Sequence, residues 1–342
     1  MSSKKIIVTG GAGFIGSHTV VELHNSGYTP IIVDDFSNSE EEVVTRIERI
    51  VGAKVKYYNL DCNDKVGLEK LFSEEKDLFG MIHFAAYKAV GESVQKPLKY
   101  YANNLGSTIT LLELMQKHKV SNFVFSSSCT VYGQPDTLPV TETSPIKPAQ
   151  SPYGNTKQIC EEIIKDFINS VPAFKAISLR YFNPIGAHPT SLIGELPLGI
   201  PNNLVPFVTQ TAAGLREKLT IYGNDYNTID GTCVRDYIHV VDLAKAHVKA
   251  LDLLNDTRQE KYYDVINLGT GNGNTVLEII KTFEEATGVK LNYVIGPRRE
   301  GDVEQVYAST EKANNVLKWK AELDISAALK DAWNWQLQLK KK

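Results

Sequence analysis

The feature that most constrains this chain is a glycine run, Thr9-Gly10-Gly11-Ala12-Gly13-Phe14-Ile15-Gly16. It follows the apolar stretch Lys4–Thr9 and precedes a segment of helix length, Ser17–Ser26. Glycine at these points lets the chain turn tightly, brings backbone close to a pyrophosphate and allows a helix to pack closely on a strand. The helix that starts there offers unbonded N–H groups and the positive end of its dipole to an anion. Asp34 lies 18 residues beyond Gly16, at the end of the second apolar stretch, where a carboxylate accepts from a ribose 2′-hydroxyl. A carboxylate there repels a 2′-phosphate, so the expected dinucleotide is NAD rather than NADP. Gly10, Gly13, Phe14, Ile15, Gly16 and Asp34 are therefore candidate cofactor contacts. Asp61, just past the third strand, is a candidate contact to the adenine.

Around this turn, short β-rich runs alternate with helix-length segments. Candidate strands are Lys4–Thr9, Pro30–Asp34, Lys54–Asn59, Met81–Ala85, Asn122–Ser127 and Lys175–Phe182. Several are apolar throughout, as strands covered on both faces are. The alternation predicts an α/β fold: a doubly wound, Rossmann-like parallel sheet with a smaller mixed α/β substrate lobe. Beyond Asn183 the texture changes. His188–Asn203 carries Pro189, Pro197 and Pro201 and reads as a long ordered loop, and helical patterning returns near Val205–Gly214, Val241–Leu254 and Thr275–Thr287. Residues 1–183 form the expected NAD-binding domain, with 232–269 returning to it, and 184–342 form mainly the substrate lobe.

Composition narrows the functions. With 37 Lys and Arg against 40 Asp and Glu the formal charge is −3, and the largest basic cluster is Lys340-Lys341-Lys342, which argues against a nucleic-acid partner. No apolar run reaches the roughly 18 residues of a membrane span, and Ile6-Ile7-Val8 is too short for a signal peptide. Cys62, Cys129, Cys160 and Cys233 lie far apart without a CxxC pattern, so reduced thiols and a cytoplasmic location are expected.

Tyr153-Gly154-Asn155-Thr156-Lys157 sets a phenol and an ammonium four residues apart. Ser151-Pro152 reads as a helix start, which puts both side chains on one face. Free tyrosine, with a pKa near ~10, is a poor base at neutral pH, but a neighbouring cation favours the phenolate. Such a tyrosine takes a proton from a hydroxyl while hydride leaves the same carbon. Ser126-Ser127-Ser128, ending a strand, supplies a hydroxyl to share that proton, and Ser128 is the candidate. Cys129 has no histidine placed to activate it and reads as a packing residue. His188 and His239 lack a second ligand at metal spacing, so no metal is expected.

Together these motifs resemble the extended short-chain dehydrogenase/reductase family. The resemblance narrows to its UDP-glucose (UDP-galactose) 4-epimerase branch through longer segments. These are Phe84–Ser93, Ser151–Gly154, Arg180–His188, Val234–His239 and Pro297–Asp302. They span nearly the whole chain. The resemblance implies tightly held NAD as a resident redox group. It implies Tyr153 as the base, helped by Ser128, a 4-keto intermediate that turns about its link to UDP, and return of hydride to the opposite face. It implies Lys157 on the nicotinamide ribose, Lys88 on the cofactor phosphates, and Phe84, Asn103 and Tyr181 in the cofactor pocket. Asn183, Asn203, Leu204, Thr220, Tyr222, Arg235, Arg299 and Asp302 are implied to grip the UDP-sugar, and a homodimer is implied as well. The two arginines suit bidentate recognition of a dianionic pyrophosphate on chemistry alone.

Val306, four residues after Asp302, stands where relatives place a residue beside the sugar 2′ substituent. Its small size predicts turnover of UDP-N-acetylhexosamines besides the plain sugars. Three alternatives share the framework. A 4,6-dehydratase requires an acid–base pair where this chain has Cys129 and Thr130. Among other NAD-dependent nucleotide-sugar enzymes of the family, a net ketoreductase releases cofactor each turn and usually prefers NADP, which Asp34 opposes. A non-enzymatic dinucleotide sensor has no need of Tyr153, Lys157 and a hydroxyl together.

Overall fold

The structure, a computed structural model, describes residues 4–299 and 302–340. Glu300 and Gly301 of the Pro297–Asp302 segment, and Lys341 and Lys342 of the basic cluster, lie outside the described residues. The first half runs β1 (Lys5–Thr9), α1 (Phe14–Asn25), β2 (Thr29–Asp34), α2 (Glu42–Val51), β3 (Lys56–Asn59), α3 (Lys65–Glu74), β4 (Leu78–His83), α4 (Val90–Gln95), α5 (Pro97–Lys117), β5 (Asn122–Ser128), α6 (Pro152–Ser170) and β6 (Phe174–Tyr181). Each expected strand forms, with ends shifted by up to three residues. The third, Lys54–Asn59 in the sequence reading, begins at Lys56, because this outermost strand is paired on one side only and leaves Tyr57 exposed.

The second half runs β7 (Asn183–Ile185), α7 (Leu204–Ala212), β8 (Leu219–Tyr222), β9 (Val234–His239), α8 (Val240–Asp256), β10 (Lys261–Leu268), β11 (Gly273–Thr275), α9 (Val276–Thr287), β12 (Tyr293–Gly296), β13 (Gln305–Val306) and α10 (Ile325–Leu339). Thr275 begins α9 as a reciprocal capping box with Glu278. The stretch 188–203 is a loop closed by a bridge between Ala187 and Gly194.

The main sheet has seven parallel strands in the order β10-β6-β5-β4-β1-β2-β3. Strand alternation sends its side chains to two cores. Ile6, Val8, Ile32 and Ile82 face α1 and α8, while Ile7, Val33, Met81 and Phe125 face α3, α5 and α6. Full burial of each such side chain contributes about 1.5–3 kcal/mol. Strand order reverses between β1 and β4, and the crevice outside the carboxyl ends of strands at such a reversal is where open sheets hold ligands. The smaller lobe joins β7, β9, β11 and β13 in one sheet and β8 with β12 in another. Its own core includes Ile185, Val208, Ile221, Ile279, Phe283 and Leu329. Among the described residues no helix is long and apolar enough to cross a membrane.

Candidate active site

A cleft of about 480 Å³ opens at the reversal point. Its floor is the glycine turn. Gly10 adopts φ +66°, donates to Val33 O and accepts from Gly13 N at 3.0 Å. A Cβ on Gly16 would stand 2.1 Å from Gly10 O, so helix and turn touch only because Gly16 has no side chain. Helix α1 starts at Phe14 with no side-chain cap on Gly13 and no acid in its first turn. Phe14, Ile15 and Gly16 thus present N–H groups to the cleft they line. Asp34 Oδ2 accepts from Ala12 N at 2.9 Å, while Oδ1 accepts from Phe36 N and Ser39 Oγ. Burial raises the Asp34 pKa, and these three donors oppose that rise. A tight glycine turn leading into a helix start with free amides, beside a cradled carboxylate, fits a dinucleotide of the NAD type.

The walls bring in the other expected cofactor residues. Phe84, Lys88, Asn103, Asp61 and Tyr181 all line this cleft. Asp61 Oδ1 accepts from Asn63 N and Nδ2, so that oxygen is engaged in its own turn. Asn103 is held between Asn63 and Asn104. Lys88 Nζ lies 3.7 Å from Glu195 and is half exposed. The Tyr181 and Ser126 hydroxyls are hydrogen-bonded to each other.

Ser128, Tyr153 and Lys157 meet at the carboxyl end of β5. Ser151 caps α6, its Oγ accepting from Gly154 N, and this places Tyr153 and Lys157 on the turn facing β5. Ser128 Oγ accepts from Thr130 N and Thr130 Oγ1, which leaves its own hydrogen for Tyr153. Lys157 is 4% exposed, donates to Ser126 O at 2.6 Å, and stands 6.0 Å from the Tyr153 ring centre. The electrostatics differ from the sequence expectation of a phenol eased toward its anion by an adjacent ammonium. Burial lifts Tyr153 to about 12 despite the Ser128 hydrogen bond, and burial lowers Lys157 to about 8. Desolvation is the largest influence on both groups.

The substrate residues divide. Asn183 and Asn203 line the cleft, and Asn203 Nδ2 donates to Glu195 at 2.6 Å. Leu204 opens α7 and packs on the core of the smaller lobe. Thr220, Tyr222, Arg235, Arg299 and Asp302 lie outside the cleft wall, the last four in a cluster of their own. Arg299 makes a two-pronged contact with Asp302 at 2.8 and 3.1 Å, and Arg235 lies 3.7 Å from the same carboxylate. The Arg299 guanidinium stands 5.6 Å from the Tyr222 ring. This cluster reaches the cleft at Cys129, a lining residue on which Arg235 acts electrostatically. Burial pushes the Cys129 thiol up to about 12, so it is not a nucleophile at neutral pH.

Val306 does not line the cleft. It is buried with Val131, Tyr132 and Phe182, and Phe182 is the cleft-lining member of that group. Tyr307 turns to the other side of β13, against Gly273.

Several residues escaped the sequence reading. Glu195 and Trp335 line the cleft, and Trp335 Nε1 donates to Glu195 O. Neither carries a motif that announces it. Glu161 and Arg180 form a buried ion pair behind the trio. Their signal was present, since Glu161 continues the four-residue spacing of Tyr153 and Lys157. Among the described residues no group of three or more His, Cys, Asp or Glu is arranged to hold a metal ion.

The chain was compared with known proteins. A family model described as GDP-mannose 4,6 dehydratase matches residues 7–332. UDP-glucose 4-epimerase 2 of Arabidopsis thaliana is 52% identical over 336 residues, covering 97% of this chain and 95% of the relative. The solved structure of UDP-glucose 4-epimerase from Bifidobacterium longum in complex with NAD+ and UDP is 48% identical with a TM-score of 0.94, covering 98% of each chain. The UDP-Glc/GlcNAc 4-epimerase of Campylobacter jejuni is 36% identical with a TM-score of 0.84, covering 98% of this chain and 100% of that one.

Proposed function

The chain belongs to the UDP-glucose 4-epimerase family of extended short-chain dehydrogenases/reductases, and on that premise we propose how its residues divide the work. The reaction is the reversible C4 epimerisation of UDP-galactose and UDP-glucose through a 4-keto intermediate, with NAD as cofactor. When bound, NAD supplies a reversible hydride acceptor and, in its oxidised form, a positive charge.

In our reading the turn from Gly10 to Gly16 and the α1 N-terminus hold the NAD pyrophosphate with Lys88. Asp34 takes the adenosine ribose and Asp61 the adenine. Phe84, Asn103, Tyr181 and Lys157 enclose the nicotinamide end. Tyr153 takes the 4-hydroxyl proton and returns it, and Ser128 donates to the Tyr153 oxygen as negative charge develops there. Arg235 and Arg299 take the substrate pyrophosphate beside Asp302, with Asn183, Asn203, Leu204, Thr220 and Tyr222 around the nucleotide. Residues 1–183 with 232–269 serve the cofactor, and 184–342 mainly the substrate. The observation that carries this reading is the convergence of Ser128, Tyr153 and Lys157 in the cleft floored by the glycine turn. It also separates the reading from a dinucleotide sensor.

We extend the reading in three respects. Val306 packs behind the sugar-facing wall without filling it, which supports turnover of UDP-N-acetylhexosamines. Leu98 and Ile109 are exposed on one stripe of α5 and support a homodimer, for which light scattering is expected to give twice 38.0 kDa. A single-chain mass overturns that. Four unpaired thiols support a cytoplasmic location, to be checked by fractionation. The direct test of activity is to incubate the purified protein with UDP-galactose and no added NAD and follow UDP-glucose by NMR. Conversion is expected; a strict need for added cofactor favours a dehydrogenase instead.

A further inference from the structure

Behind the trio lies a buried polar network that the reaction as described does not use. Helix α6 carries Tyr153, Lys157 and Glu161 at successive four-residue steps, so the three share one stripe. Glu161 is one turn deeper than Lys157 and 8% exposed. Its Oε1 accepts from Ser127 Oγ at 2.5 Å and from Arg180 Nε at 2.9 Å, and its Oε2 accepts from Arg180 Nη2 at 2.5 Å. Arg180 Nη1 donates to Tyr132 Oη at 3.0 Å, and Tyr132 in turn donates to Asn267 Oδ1 at 2.6 Å. The network therefore ties α6 to β5, β6, β10 and the turn after β5.

Its placement gives it a task. Ser127 sits between Ser126, whose carbonyl holds Lys157 Nζ, and the trio's own Ser128, whose hydroxyl meets Tyr153. A carboxylate on α6 that fixes Ser127 fixes the height of the strand end against the helix. Both contacts are thereby set with a single tether. We propose that Glu161, braced by Arg180, is the positioning residue for this reaction, holding Ser126 O and Ser128 Oγ in register with Lys157 and Tyr153 through Ser127 and setting a negative charge one turn beneath Lys157.

The charges around Lys157 agree. On α6 it faces the Tyr153 ring, Cys160 and Glu161; on β5 it faces the Phe125 ring at 4.8 Å and Ser126 O; on β4 it faces His83, which burial keeps neutral with a pKa near 3. Burial draws Lys157 down, and Cys160 and Glu161 oppose it. Cys160 is itself driven toward the neutral thiol by burial, so Glu161 is the standing negative charge on this side. Glu161 faces Lys157 and Cys160 on its own helix, Arg180 on β6, Ser127 on β5 and Tyr263 on β10.

The inference rests on the assignment of Tyr153, Lys157 and Ser128 as the reacting trio. The experiment is the pH profile of kcat for UDP-galactose conversion by the holoenzyme and by Ser127→Ala, Glu161→Gln and the double variant Glu161→Gln/Arg180→Met. Ser127→Ala leaves the ion pair intact and is expected to keep bound NAD and KM while losing about tenfold or more in kcat. Glu161→Gln is expected to move the alkaline limb down by about one pH unit. That single change leaves Arg180 buried without its partner; the double variant removes both charges, so if the single one does not fold the double variant carries the kcat arm of the test rather than the shift of the limb. A merely structural role lowers the yield of folded enzyme but leaves kcat per bound NAD and the alkaline limb in place. A Ser127→Ala kcat within about twofold of wild type, an unmoved limb in Glu161→Gln, or a double variant with wild-type kcat overturns the proposal. Tyr153→Phe is the control: if it stays active the trio assignment fails, whereas inert Glu161 and Ser127 variants beside a dead Tyr153→Phe remove this inference alone.

Discussion

The two sides of the cleft are built by different means. The cofactor side is backbone and buried side chain: strand ends of a seven-stranded sheet, an uncapped helix start, and a serine–tyrosine–lysine trio braced from behind. Apart from the free amides of the α1 start, its polar side chains have partners within the fold, and Lys157 and Ser128 are 4% and 7% exposed. The substrate side is assembled from short strands and a loop, and its two arginines are bound to one carboxylate, Asp302. The first side is held by buried hydrogen bonds within the fold. On the proposed substrate side, Arg299 meets Asp302 through Nε and Nη2 only, so N–H donors remain for a further anion beside that pair. Catalytic groups therefore sit on the part held by the sheet, and selection among substrates falls to the part built from short strands and a loop.

Four substitutions test that contrast. The largest effect is expected from Tyr153→Phe, which removes the proton acceptor while keeping the ring. It should fold and retain NAD but lose about 10²–10⁴-fold in kcat with little change in KM. Near-wild-type turnover breaks the assignment of the first side to chemistry. Next come the arginines. Arg235→Ala should raise KM for UDP-galactose about 10–100-fold with a smaller effect on kcat, since a charged hydrogen bond is worth about 1.5–3 kcal/mol. Arg299→Ala should have the smaller effect, because Arg299 is 56% exposed against 16% for Arg235. A kcat loss exceeding the KM change in either variant places that arginine with the chemistry and dissolves the contrast. The smallest effect concerns the wall. UDP-GlcNAc turnover should exceed about a thousandth of the UDP-galactose rate, and Val306→Tyr should reduce it selectively by about tenfold. Equal losses for both sugars show that Val306 acts by packing behind Phe182 rather than by leaving room.

Legibility followed the same division. The glycine run, Asp34 and the Tyr153–Lys157 spacing were readable because each is local. A strand, a tight turn and a helix start impose their residues over a few positions, and two side chains four apart on a helix are neighbours without tertiary help. Helices α2, α3 and α10 were not assigned from pattern. Yet Asp64 caps α3 and Asp324 caps α10 with side-chain oxygens, so start signals for these two were present but short. Glu195 was not readable at all. It touches Lys88, Asn203 and Trp335, residues from three distant parts of the chain, and it sits in a loop without period or motif.

From the sequence alone came the fold class, the glycine turn, the proposed reacting trio and the resemblance that identifies the chemistry, since all of these rest on contacts short in sequence or on motifs kept whole. Only the tertiary structure decided the protonation balance of Tyr153 and Lys157, the pairing of both arginines with Asp302, and the placement of Val306 behind the wall. Each of those depends on desolvation and on partners from 3 residues away (Arg299 and Asp302) to 175 (Val306 and Val131), and burial is a property of the packed chain rather than of any segment of it.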